Sequence, residues 1–89
     1  MNRIINDPFT AKYPRIDIHG ETTLTCIAVI KSFIQDNIHL KEKNIIIIHG
    51  KGSGALKKAT HEYLKKNKKV KKYYIDGLND GQTIVELDI

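Results

Sequence analysis

Residues 44–54 read NIIIIHGKGSG, and the change of character along this stretch decides the fold. Four isoleucines, Ile45 to Ile48, do not alternate with polar residues, which suits a strand buried on both faces inside a sheet. His49 ends the run, and Gly50, Gly52 and Gly54 then alternate with Lys51 and Ser53. From about Gly54 to Asn67 the spacing turns helical. Leu56, Ala59, Tyr63 and Leu64 fall on an inner side, and Lys57, Lys58, Lys65 and Lys66 on an outer one. A strand, a glycine turn and a helix in that order expose backbone N–H groups and aim a helix N-terminus at whatever sits there, an arrangement that binds phosphate.

Upstream, Arg15 to His19 alternates with period two, so Ile16 and Ile18 share one face of a strand and Asp17 and His19 the other. Gly20 closes it. Thr22 and Thr23 offer hydroxyl caps, and Leu24, Ile27, Ile30, Ile34 and Ile38 follow at three- and four-residue steps, which predicts a core-facing helix. Lys41 to Lys43 make the next turn. Downstream, Val70 to Ile75 reads as a third strand and residues 76–81 as a turn-rich loop. Thr83 to Ile89 reads as a fourth strand with Val85, Leu87 and Ile89 on one face.

The order is βαβαββ. Right-handed crossovers put the first three strands parallel. The last connection is too short for a helix, so strand four runs antiparallel. The predicted class is α/β (α+β): a two-layer sandwich of one mixed four-stranded sheet with both helices on one face. Residues 1–14, broken by Asn6-Asp7-Pro8 and Tyr13-Pro14, are expected to form an arm laid over the domain or partly disordered, with the domain itself at 15–89.

Eighty-nine residues, 40 % apolar and 28 % charged, make one globular domain. Cys26 is the single cysteine, so an intramolecular disulfide and a Cys-based zinc cluster are excluded. The start has no apolar signal-peptide core and no run approaches ~20 apolar residues, so the expected location is cytoplasmic, without a membrane. The charge of +5 is uneven: Lys51 to Lys72 holds nine lysines and one acid, Glu62. Such a field attracts polyanions such as nucleic acid; the plain alternative is a solvated lysine-rich helix.

The glycine turn is not a Walker A loop, because Ile45 stands where that pattern needs glycine and Gly52 follows Lys51. Nor does its GxGxG spacing match a dinucleotide fingerprint. His19 and His49 both end strands expected to be parallel, and each is followed by glycine. Ligands of open α/β sheets gather beyond that edge. If the strands are neighbours, about 4.8 Å apart, Asp17, His19 and His49 can meet beside the loop. Histidine takes and gives a proton near neutrality. Asp17 could orient an imidazole or hold a divalent cation such as Mg2+. Gly50, Lys51, Gly52, Ser53 and Gly54 could grip a phosphate and stabilise its charge, with Lys57 and Lys58 adding nucleic-acid contacts. His39, in a helix-end turn, and His61, on a helix surface, are read as structural.

IDIHG (16–20), HGKGSG (49–54) and GQTIVEL (81–87) resemble the Smr domain, the small MutS-related family, and the likeness spans roughly residues 15–89. It implies a fold like the C-terminal domain of translation initiation factor three, with strand order one-two-four-three and strand four antiparallel. It also implies endonuclease activity, as DNA nicking or RNA cleavage, with action on RNA in ribosome-associated quality control in some members. Smr domains occur at the C-terminus of MutS2-type proteins and as stand-alone proteins. The family's LDLHG motif maps to Ile16-Asp17-Ile18-His19-Gly20, and its HGxG motif to His49-Gly50-Lys51-Gly52. The third motif departs: where the family often has Gly-Gly and then Gly-Ala-Thr, this chain has Leu78-Asn79 and then Gly81-Gln82-Thr83.

The leading expectation is an endonuclease using Asp17, His19 and His49, metal-free on RNA and with a cation near Asp17 on DNA. The alternative is a module that grips DNA, structured RNA or a ribosome surface through its lysine face without cutting. A third is an interaction domain dimeric through the strand-three edge at Tyr73 and Tyr74; a monomer in isolation is the expected state.

Overall fold

The structure, a computed structural model, describes residues 10–89. Its elements are β1 (Arg15–Asp17), α1 (Thr25–His39), β2 (Asn44–Ile48), α2 (Ala55–Lys66), β3 (Val70–Asp76) and β4 (Asn79–Leu87). They form a four-stranded sheet of order β1-β2-β4-β3. β1 and β2 pair in parallel, and β4 runs antiparallel to both β2 and β3.

The isoleucine run explains why β2 is central. Ile45 and Ile47 face the helices and join Ile18, Cys26, Ile30, Ile34, Leu64, Val85 and Leu87 in one buried cluster. Ile46, on the opposite face, is also fully buried, in register between Arg15 of β1 and Ile84 of β4. Each such side chain contributes roughly 1.5–3 kcal/mol relative to exposure. Both helices supply residues to this one cluster, so the molecule has two layers.

Helix α1 starts on a reciprocal pair. Thr22 Oγ1 accepts from the Thr25 N–H, Thr25 Oγ1 accepts from the Thr22 N–H, and the Thr22 carbonyl takes the Cys26 N–H. This first turn lifts Leu24 off the sheet to 85 % exposure, so the inner stripe begins at Cys26 and Ile27 rather than at Leu24. The C-terminus closes with Lys41 at φ 61°, its N–H on the Ile38 carbonyl and the Glu42 N–H on the Asn37 carbonyl. That is a Schellman closure made by a lysine where glycine is favoured.

Strand β4 begins earlier than its composition suggests. Asp76 pairs with Asn79 across a turn of only Gly77 and Leu78, so residues 79–81 belong to the strand rather than to a loop. Asp76 holds the turn, its Oδ1 accepting from the Leu78 N–H and its Oδ2 from Gln82 Nε2. Leu78 and Asn79 need no left-handed backbone, since Lys41 is the one non-glycine residue with positive φ among the described residues. Ile89 lies past the strand and is exposed.

Of the expected N-terminal arm, residues 1–9 lie outside the described residues. Residues 10–14 run onto the sheet: Arg15 donates to the Thr10 carbonyl, and Ile46 N–H to that of Pro14. Among the described residues, no helix is long and apolar enough to cross a membrane.

Candidate functional site

β1 and β2 are parallel neighbours, so His19 and the HGKGSG turn share the sheet edge where these strands end. The turn is held from below by β4. The Gly81 carbonyl accepts both the His49 and Gly50 N–H groups, at 3.0 and 2.9 Å. A Cβ on Gly81 would stand 3.1 Å from Lys51 Cγ and 3.2 Å from Asn79 Oδ1, so a larger residue there would push these side chains back by a few tenths of an ångström. Gly50 and Gly54 take positive φ, which lets the turn reverse and start α2. The Gly50 amide is thereby committed internally. Those of Lys51, Gly52, Ser53 and Gly54 donate to no protein acceptor among the described residues. Lys51 Nζ lies 3.4 Å from Asp80 Oδ1, both exposed.

The two strand-end histidines are treated in opposite ways. His19 stands in the open, its side chain 71 % exposed. Asp17 Oδ1 receives both its backbone N–H, at 3.0 Å, and its ring Nδ1, at 2.5 Å. A carboxylate only accepts, so Nδ1 carries the proton and Nε2 faces solvent with its lone pair free in the neutral ring. The ring hydrogen bond first, and the backbone N–H second, hold the Asp17 carboxyl below its ordinary range.

His49 is turned to the helix side of the sheet and is only 4 % exposed. Its Nδ1 lies 3.0 Å from the Gly50 carbonyl and its Nε2 2.9 Å from Thr83 Oγ1, which in turn is 2.7 Å from Nε2 of His61 on α2. The carbonyl sets the direction of this chain. It can only accept, so His49 Nδ1 is protonated and Nε2 accepts from the Thr83 hydroxyl. The Thr83 oxygen then accepts from His61 Nε2–H. The His61 ring packs 5.0 Å from that of Tyr73 and edge-on to His49 at 6.1 Å. Burial, then the neighbouring His49 and Lys57, push the His61 pKa below its ordinary value, which favours the neutral ring.

The structure thus brings Asp17 and His19 together and gives both His49 nitrogens to other partners. His61 is not on the helix surface, as its sequence context suggested, but half-buried on the inner side of α2. The available signal was its place between Thr60 and Leu64, both buried. His39 is the last residue of α1 and is exposed. Beside the loop is a hollow of about 310 Å³ between Thr22–Thr23 and the Gly52–Leu56 backbone, with His49 in its wall. Lys57 lines it, Lys58 stands exposed on the next position, and Asp17 and His19 lie outside its lining. No group of three or more His, Cys, Asp or Glu that could hold a metal occurs among the described residues. A magnesium ion carried mainly by substrate phosphates needs only one or two carboxylates, and Asp17, exposed with Oδ2 uncommitted, is the one beside His19.

The family model described as Smr domain matches residues 16–88. Among curated proteins, the chain is similar to the protein called endonuclease MutS2 of Geobacillus sp. (strain WCH70), 39 % identical over 75 residues, or 81 % of this chain and 10 % of the relative. The same-named protein of Finegoldia magna is 39 % identical over 66 residues, 74 % of this chain and 8 % of the relative. The chain therefore spans about a tenth of the length of these relatives. Among solved structures, the Smr domain of Thermus thermophilus MutS2 superposes with a TM-score of 0.83 at 25 % identity, covering 85 % of this chain and 99 % of that one. YdaL, a stand-alone small MutS-related protein from Escherichia coli, gives 0.79 at 24 % identity over 89 % of this chain and 70 % of its own.

Proposed function

This chain belongs to the Smr domain family, and from that premise we propose that it is a nucleic-acid endonuclease whose reacting base is His19. One observation carries the reading: Asp17 takes the backbone and Nδ1 N–H groups of His19 and leaves Nε2 without a protein partner among the described residues, on an exposed ring next to Gly50 of a loop with free amides. Its relatives' name, endonuclease MutS2, supports the same class of reaction.

On RNA, neutral His19 Nε2 takes the proton of a 2′-hydroxyl, and the resulting oxygen attacks the adjacent phosphorus. The bond to the 5′-oxygen breaks, and that oxygen takes a proton from the His19 imidazolium or from water, leaving a cyclic phosphate. Asp17 keeps the ring in the required tautomer and stabilises the imidazolium, the role a buried carboxylate plays in hydrolase triads. Lys51 and the amides of Gly52, Ser53 and Gly54, at the N-terminus of α2, stabilise the charge on the phosphoryl oxygens. Lys57 and Lys58 add positive field. On DNA, water replaces the 2′-hydroxyl as nucleophile, and a divalent ion at Asp17 would supply Lewis-acid help. We assign His49 to the bracing of the loop through the Gly50 carbonyl, and Gly50 to its turn geometry rather than to phosphate.

The test is cleavage of labelled single-stranded RNA and duplex DNA, with and without chelator, by wild type and His19→Ala purified identically. The reading expects cutting to fall by about 10²-fold or more in His19→Ala, the scale of general-base catalysis, with binding retained. Equal cutting by both proteins would sink it. A 2′-deoxy substitution at the cleaved nucleotide separates the two chemistries, since the first route has no nucleophile without that hydroxyl.

The second reading, a module that binds DNA, RNA or a ribosome surface without cutting, is favoured by a separate observation. Lys57, Lys58, Lys65, Lys66, Lys68 and Lys69 have no carboxylate partner among the described residues, whereas Lys71 and Lys72 share Glu86 with Lys43. Tight, salt-sensitive binding by a protein that does not cut would establish it.

A further inference from the structure

The unpaired lysines are not spread evenly over the surface. Helix α2 starts at the glycine loop and ends, twelve residues or about 18 Å later, at the opposite pole of the molecule. There, Lys31, Gln35 and Ile38 of α1 face Tyr63, Lys66 and Asn67, with Lys68 and Lys69 closing a groove of about 470 Å³. A third hollow, about 380 Å³, lies between the two helices along Thr23, Ile27, Ala59 and Tyr63. It shares Thr23 with the hollow at the glycine loop, and Tyr63 and Lys66 with the polar groove. The three therefore join into one furrow along the α1–α2 crevice, from the phosphate loop to the lysine pole.

We propose that this furrow is the track of a single nucleic-acid strand. Charge gives the sign of the ligand: Lys31, Lys57, Lys66, Lys68 and Lys69 line it against Glu21 and Glu62. Its floor gives the kind. Ile27, Ala59, Tyr63 and Ile38 are partly buried apolar or aromatic side chains packed on the core, and they leave a shallow apolar strip between the lysines. A duplex hides its bases and offers such a strip nothing; an unpaired strand lays bases on it while its phosphates reach the lysines. A stacked strand rises ~3.4 Å per phosphate and an unpaired one laid along the floor rises more, so ~18 Å between loop and pole is spanned by at most about five nucleotides. Glu62, midway along, leaves the grip strongest at the two ends.

This deepens the nucleic-acid reading above, and its test is read by binding so that the two fail separately. Fluorescence anisotropy would follow a labelled 12-nucleotide RNA, its DNA counterpart, a dinucleotide and a 12-base-pair duplex on the His19→Ala protein. Substitution of Lys31, Lys68 and Lys69 by Gln should weaken both single 12-mers by about 10-fold and lower the salt slope by about 2, at ~0.7 per lost contact. The equal charge change at Lys43, Lys71 and Lys72, which sit around Glu86, should weaken them less than about 3-fold. The dinucleotide, with a single bridging phosphate and too short to reach the pole, should bind both variants alike, and the duplex should not discriminate between them. Equal losses from both triple variants, or a duplex more sensitive than the single strand, would overturn the track. Because the His19→Ala background is already deprived of its reacting base, these outcomes bear on the track and not on the catalytic reading.

Discussion

Two histidines end neighbouring parallel strands, each followed by glycine, and the fold uses them in opposite ways. His19 keeps one ring nitrogen free in solvent and gives the other to Asp17. His49, one strand over, is buried and spends both, on the Gly50 carbonyl and on Thr83. The difference follows from which face of the sheet each reaches: His49 has the register parity of Ile45 and Ile47, which face the helices, and meets α2 there. The Ile-His-Gly tripeptide that both share thus says little about whether a histidine can do chemistry. What decides is where its second nitrogen goes.

The comparison breaks first on stability. His49→Ala removes a buried ring and two hydrogen bonds and should cost about 2–4 kcal/mol in urea unfolding. His19→Ala, at an exposed position, should stay within about 0.5 kcal/mol. Similar losses in the two would refute the contrast. Next is Thr83→Val, which keeps the shape but strands Nε2 of both His49 and His61. It should cost about 1–3 kcal/mol, with Thr83→Ser recovering most of it.

A pH dependence sharpens the same contrast. The His61 pKa lies below its ordinary 6.5, so the unfolded chain binds its proton more readily than the folded one. The stabilisation is therefore full above 6.5 and is lost as pH falls through the lower folded value. Melting temperature should drop between pH 7 and 5 in wild type, and less in His61→Leu; an equal drop would show that other groups set it. The smallest expected effect lies away from both histidines. Lys41→Gly relieves a left-handed lysine at the α1 C-terminus and should gain up to about 1 kcal/mol with cutting unchanged.

Much of this was legible in the chain. The isoleucine run announced a central strand because only the inner strands of a sheet, here β2 and β4, bury both faces, and the short final connection dictated an antiparallel β4. The misreadings share a cause: local pattern does not report the third dimension. Leu24 fits the apolar spacing of α1, yet the Thr22–Thr25 pair starts the helix so that this position points outward. Residues 76–81 have loop composition, but Asp76 stabilises a two-residue turn and frees 79–81 for the strand. His61 looked like surface among lysines, because nothing local shows that Thr83 of β4 comes within 2.7 Å of its ring. Asp17 and His19 were readable as a pair, being two residues apart where β1 ends, whereas the commitment of His49 Nε2 depends on Thr83, 34 positions away.

The contrast between the two rings can be measured directly by 15N NMR of the histidine side chains at pH 8, before and after adding a nucleotide phosphate. The account predicts that His19 and His49 are both protonated at Nδ1 and His61 at Nε2. Added phosphate should shift the His19 ring and the loop amides and leave the His49 nitrogens in place. A His49 ring protonated at Nε2, or one that responds to phosphate as His19 does, would contradict it.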